Sequence, residues 1–188
     1  MIIHPWDIQE GNSVIIAELR RSLAGDAVIN VRYIVPKEER WPEGHRADRV
    51  HEVDMAVELQ MESGSALILS WDMDGLNEGI AADFRGPGEE GANLPGDPID
   101  VSDHIDWEEF LGVSIVSINA AWHVPNEGCP EMPWSYHFMF SDDSSVTIAL
   151  GGDNGVGLRY IPDALVVILD KEMAATYKIP ASSTPSCG

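Results

Sequence analysis

Two stretches of strict two-residue alternation limit what this chain can become. Val53, Met55, Val57, Leu59 and Met61 alternate with Asp54, Ala56, Glu58 and Gln60; Ser63-Gly64 interrupts; Leu67, Leu69 and Trp71 then alternate with Ala66, Ile68 and Ser70. A period of two places one set on each face of a strand, so the run predicts an antiparallel hairpin with one wet face. Setting Met61 opposite Leu67 and Leu59 opposite Leu69 keeps the apolar set on one side, which requires a loop of odd length, three or five residues. The pattern returns 79 residues later: Trp134, Tyr136, Phe138 and Phe140 stand where Met55, Val57, Leu59 and Met61 stood, and Val146, Ile148 and Leu150 answer Leu67, Leu69 and Trp71. Either an old duplication or two hairpins obeying the same physics explains this, and the hairpins belong in one sheet or in two facing sheets.

Helical periodicity is confined to short segments. Ile15, Ile16, Leu19 and Leu23 predict a helix over about 13–24, stopped by Gly25. Ser102 or Asp103 is placed to cap a second helix through Phe110, ended by Gly112, and Asp170 a third through about Tyr177. Strands are expected at 27–35, 113–121 and 160–169, and loops at 36–49, 85–100 and 124–133, where proline and glycine gather. The expectation is an α+β fold: a mostly antiparallel sheet built from two similar hairpins, with short helices at the N-terminus, middle and C-terminus. Residues 1–180 are expected to form one domain and 181–188 a flexible tail.

Charge is distributed just as unevenly. Of the formal −21, residues 50–157 carry 21 Asp and Glu against Arg85 alone, while the segments before and after are nearly balanced. Such density repels nucleic acid and anionic membrane and favours a basic protein surface, a cation or a high-salt setting. The 44 % apolar content is enough for a core, so this is not an acidic disordered tail. Only Cys129 and Cys187 are present, and no apolar run follows a basic N-terminus; both features fit free thiols in the cytoplasm.

Chemistry-bearing groups do not assemble into a known catalytic pattern. The run from Asp72 through Asp74 to Glu78 is rich in oxygen but lacks the ligand spacing of a calcium loop. Asp100, Asp103, His104 and Asp106 are explained by a helix N-terminus, and the histidines lack metal-ligand spacing. Cys129 follows His123, but Glu127 and Glu131 disfavour a thiolate. No catalytic residue, metal or cofactor is therefore expected. A small cytosolic hydrolase or a cation-binding acidic domain, using 72–78 or 100–106, is the alternative.

The order of elements carries a further suggestion. A hairpin precedes Trp107-Glu108-Glu109-Phe110-Leu111-Gly112; a strand, a second hairpin, Tyr160-Ile161-Pro162-Asp163 leading into a strand, and a terminal helix opened by Asp170 follow. Over residues 50–178 this resembles bacterial immunity-type proteins encoded beside polymorphic toxins. The resemblance implies a non-enzymatic protein that occludes the active site of a cognate toxin, commonly a nuclease. A basic cleft would be met by the acidic face of 72–109, with Asp72, Asp74, Glu78, Glu89, Glu90, Asp103, Asp106, Glu108 and Glu109 as candidate contacts and Trp41 as an aromatic anchor.

Overall fold

The computed structural model describes residues 2–5, 13–41, 49–89, 96–153 and 157–178. Glu90, Cys187 and the tail 181–188 lie outside them. In chain order the elements are β1 (Ile2–Ile3), α1 (Ser13–Leu23), β2 (Val28–Val35), β3 (Val50–Val53), β4 (Ala56–Met61), β5 (Ala66–Asp74), β6 (Asn77–Arg85), β7 (Asp97–Asp100), β8 (Ile115–His123), β9 (Met132–Phe140), β10 (Ser145–Leu150), β11 (Gly152–Asp153), β12 (Leu158–Arg159), β13 (Leu165–Ile168) and α2 (Lys171–Thr176). The α+β expectation holds in a coarser form: the protein is mainly antiparallel β with few, short helices. The expected helix at 103–110 is a succession of turns, tied by Trp107 N–H to the His104 carbonyl and Phe110 N–H to the Trp107 carbonyl.

Two sheets face each other, ordered β1-β6-β5-β4-β2-β7 and β3-β13-β10-β9-β8. One apolar cluster fills the space between them. It takes Val31, Val57, Leu59, Leu67 and Leu69 from the first sheet and Tyr136, Phe138, Ile148 and Val167 from the second. Alternation therefore did its work: the two hairpins turn their apolar sets into a shared core. The first hairpin's other face is less wet than expected, because Ile34, Ala56 and Ile68 form a small second cluster there with Met55 against it. Met55 joins that outer cluster because the run 53–61 is not one strand. Its beginning, β3, pairs with β13 in the second sheet, and the chain crosses to the first sheet at 54–55.

The hairpin loops are odd, as the parity argument requires, but the first register is two residues tighter than expected. Leu59 faces Leu67 and Val57 faces Leu69, which leaves a three-residue loop at 62–64 between Met61 and Ser65. The second hairpin pairs Phe138 with Val146 and Tyr136 with Ile148, with a three-residue loop at 141–143. Each loop ends on a left-handed residue, Gly64 (φ 86°) and Asp143 (φ 67°), as a type I turn followed by a bulge demands.

The resemblance of the two hairpins extends to their surroundings. Strands β2, β4, β5 and β6 lie side by side in one sheet, and β8, β9, β10 and β13 in the other. Each set is preceded by a helical or turn segment that ends on a left-handed glycine, Gly25 or Gly112. Gly25 N–H donates to the Ile115 carbonyl and Gly112 N–H to the Val28 carbonyl, both at 2.8 Å. Exchanging residues 87 apart turns one bond into the other. Ala27 and Ser114, also 87 apart, form a bridge with each other. The entry strands are irregular at matching places, between Val28 and Asn30 and between Ile115 and Ser117. The repeat is one of topology as well as of pattern.

Candidate functional site

The acidic residues singled out in the sequence do not form one face. Asp72 is hydrogen-bonded to His4 Nδ1 at 2.6 Å, and Asp74 is exposed at the tip of the β5–β6 hairpin beside Leu76. Glu78 is buried and accepts from the Tyr160 hydroxyl. Glu89 lies in the turn at the other end of β6, where its carboxylate accepts from Gly86 N–H; the nine residues of β6, eight steps of about 3.3 Å, put roughly 26 Å of strand between that turn and the hairpin tip. Asp103, Asp106, Glu108 and Glu109 follow β7, which β5, β4 and β2 separate from β6, about 19 Å across the sheet.

Among the described residues, the segment 97–112 gathers the largest number of the candidates. It begins as β7, paired to β2 with Tyr33 opposite Ile99. Ser102 pins the turn: its Oγ takes hydrogen bonds from Val31 N–H and the Asn30 amide, and its own N–H donates to Asp100 Oδ1. The Ser102 N–H and hydroxyl, with the Asn30 amide on Oδ2, hold the Asp100 carboxyl below the usual carboxylate range, so it is firmly anionic. Asp97, Asp100, Asp103 and Glu108 are exposed, and Ile105 of the same segment is 63 % exposed. A hollow of about 340 Å³ is lined by Trp41, Ile99, Asp100, Val101, Asp103 and His104.

Beneath this surface lies a polar network whose members come from distant parts of the chain. Trp107 Nε1–H donates to Tyr33 Oη at 2.8 Å, Tyr33 Oη is 2.8 Å from His51 Nδ1, and His51 Nε2 is 3.0 Å from Asp106 Oδ2. Burial pushes the Tyr33 phenol far above its ordinary range, so it stays protonated. Arg49 adds charge balance, lying 3.7 Å from Asp106 Oδ1, donating to the Asp106 carbonyl and pairing with Glu109. Asp106 is thus 3 % exposed and Trp41 8 %. Neither is a surface contact as the sequence suggested: Asp106 anchors the segment from below, and Trp41 packs edge-on against Tyr33 and His104 while its Nε1–H donates to the Glu52 carbonyl.

Tyr33, Arg49 and His51 were not legible as part of this site. The only available signal was a histidine in the strand-like run Val50-His51-Glu52-Val53. His123 and Cys129, which the sequence disfavours as a catalytic pair, each have another partner: His123 Nε2 bonds the Glu78 carbonyl, and Cys129 Sγ bonds Asn77 Oδ1. Among the described residues, no helix is long and apolar enough to cross a membrane. No protein-family model, no curated protein and no solved structure matches this chain.

Proposed function

We infer that the protein is a non-enzymatic acidic binding protein of the cytoplasm, an immunity-type inhibitor that covers the basic cleft of a cognate toxin. A nuclease is the toxin class whose cleft carries the complementary charge. One observation supports this above the rest: the braced segment 97–112 presents an exposed apolar side chain, Ile105, together with the exposed carboxylates of Asp97, Asp100, Asp103 and Glu108. Interfaces are built in this manner, with an apolar centre and a polar rim. Rim charges speed association with a basic partner, and a desolvated centre slows its release. The partner surface is accordingly narrower than the whole of 72–109.

The test is binding to the basic protein encoded next to this gene or recovered with it from its host. Reversing Asp100, Asp103 and Glu108 together to Lys should slow association by about tenfold or more and flatten its salt dependence. Ile105→Asp should accelerate dissociation. A partner whose association ignores salt, or that binds the triple variant unchanged, would remove the reading.

A further inference from the structure

Two imidazoles and a carboxylate, from β3 and from the turns after β7, converge on one point. Asp106 Oδ2 lies 3.0 Å from His51 Nε2 and 3.6 Å from His104 Nδ1, and one ligand atom from each of the three residues lies within 4.8 Å of the others. A tetrahedral zinc ion with bonds of about 2.0–2.1 Å holds its ligand atoms about 3.3–3.4 Å apart, between those two distances. The geometry points to a three-ligand site for a first-row divalent metal ion of the zinc type, held by His51, His104 and Asp106. This departs from the expectation of no metal, which rested on spacing along the sequence; His51 is brought to His104 only by folding.

The surroundings are those of a metal site. A ligating histidine needs an oxygen at its other ring nitrogen to fix its orientation, and Tyr33 Oη, itself held by Trp107, supplies one to His51 Nδ1. Asp106 turns Oδ1 towards Arg49 and Oδ2 towards the imidazoles. The hollow beside His104 offers an entry path and room for water as fourth ligand, and its Asp100 and Asp103 carboxylates concentrate cations. Arg49 opposes the ion, so micromolar affinity is expected, weaker than that of a closed four-ligand site. An ion must displace two contacts among these groups: His51 Nε2 with Asp106 Oδ2, and Asp106 N–H donating to His104 Nδ1 at 3.2 Å. Binding requires the His51 proton to sit on Nδ1, facing Tyr33.

The experiment titrates the chelator-stripped full chain with Co²⁺ and then Zn²⁺. The expected result is one Co²⁺ per chain with the visible absorption of a four-coordinate ion, displaced by Zn²⁺, and a rise in Tm with either metal. Loss of an outer-shell partner costs about 10–100-fold in metal affinity, so His104→Ala should weaken binding at least that much and Tyr33→Phe by about tenfold. Circular dichroism checks that both variants fold. His137→Ala, whose imidazole bonds Thr147 instead, should bind as wild type does. No visible band and no Tm response in the wild type would overturn the site, and so would a His104→Ala variant that binds as well as wild type. Neither result bears on toxin binding, which is measured separately.

Discussion

The helix α1 and the turns at 102–112 occupy equivalent places in the two halves and have opposite chemistry. Each leads through a left-handed glycine into a bulged strand, and each plugs the core with a fully buried side chain, Leu23 or Phe110. Each also reaches across to the other half: Arg20 of α1 donates to the Ile118 carbonyl and Asn119 Oδ1 on β8, while Trp107 donates to Tyr33 on β2. The helix ends on basic residues, Arg20 and Arg21; the turns carry Asp103, Asp106, Glu108 and Glu109. A repeated framework thus fixes where a segment docks and leaves its charge open. The half that gave up regular helix is the one whose carboxylates reach both solvent and the buried network.

The strongest way to break this equivalence is to pull the plugs. Phe110→Ala should cost about 3–5 kcal/mol and Leu23→Ala about 2–5 kcal/mol, read by urea denaturation. If the halves are one cooperative unit, both variants unfold in a single transition; a biphasic curve for either would mean that the halves melt apart. Next, Asp106→Ala removes one buried partner each from His51 and Arg49 and should cost about 3–5 kcal/mol, the range for breaking a buried pair by deleting one member. Its counterpart Arg20→Ala, which loses hydrogen bonds to a carbonyl and an amide, should cost only about 1–2 kcal/mol.

Smaller effects sharpen the comparison. A Cβ at Gly25 or Gly112 meets nothing within 4 Å, so Gly→Ala at either site should pay only for positive φ, about 1–2 kcal/mol, and by the same amount in both halves. Unequal losses would show that the matching turns are not under matching constraint. Acid response should be lopsided. Burial lowers the pKa of His123 on β8 and of His137 on β9, Lys171 adding to the effect at His137. A folded-state pKa below the unfolded value of about 6.5 means that the unfolded chain binds more protons. Stability is then complete above that pH and falls as pH drops through it towards the lower folded values; His123→Gln should flatten the fall. Smallest of all, the Tyr136 hydroxyl is buried and has no partner among the described residues, so Tyr136→Phe should raise stability by about 1 kcal/mol.

What could be read in the sequence follows from how local its cause was. The second hairpin, α1, β2 and the Asp170 cap of α2 came through because alternation, periodicity and capping act over a few residues; Asp170 Oδ1 accepts from Met173 N–H as expected. Strand β6 was missed because its stretch Asn77–Arg85 is packed on both faces and built from small residues such as Gly79, Ala81 and Ala82, so no alternation survives. Strand β3 was merged into the first hairpin because the change of sheet at Asp54-Met55 leaves the two-residue period intact. The acidic block was visible, but its division among a hairpin tip, a distant turn and the braced segment depends on sheet order, which charge counting does not reach. The network at His51 joins residues 33, 49, 51, 106 and 107, and no local rule connects them.

Among the described residues, β7 is the last strand of its sheet, with the sequence Asp97-Pro98-Ile99-Asp100. An open edge ordinarily invites another chain to add a strand. Here a newcomer would bring its backbone carbonyls past two carboxylates and find no N–H at Pro98 to receive them. Charge and proline thus guard this margin against backbone pairing, including strand addition by the sheet of a second copy.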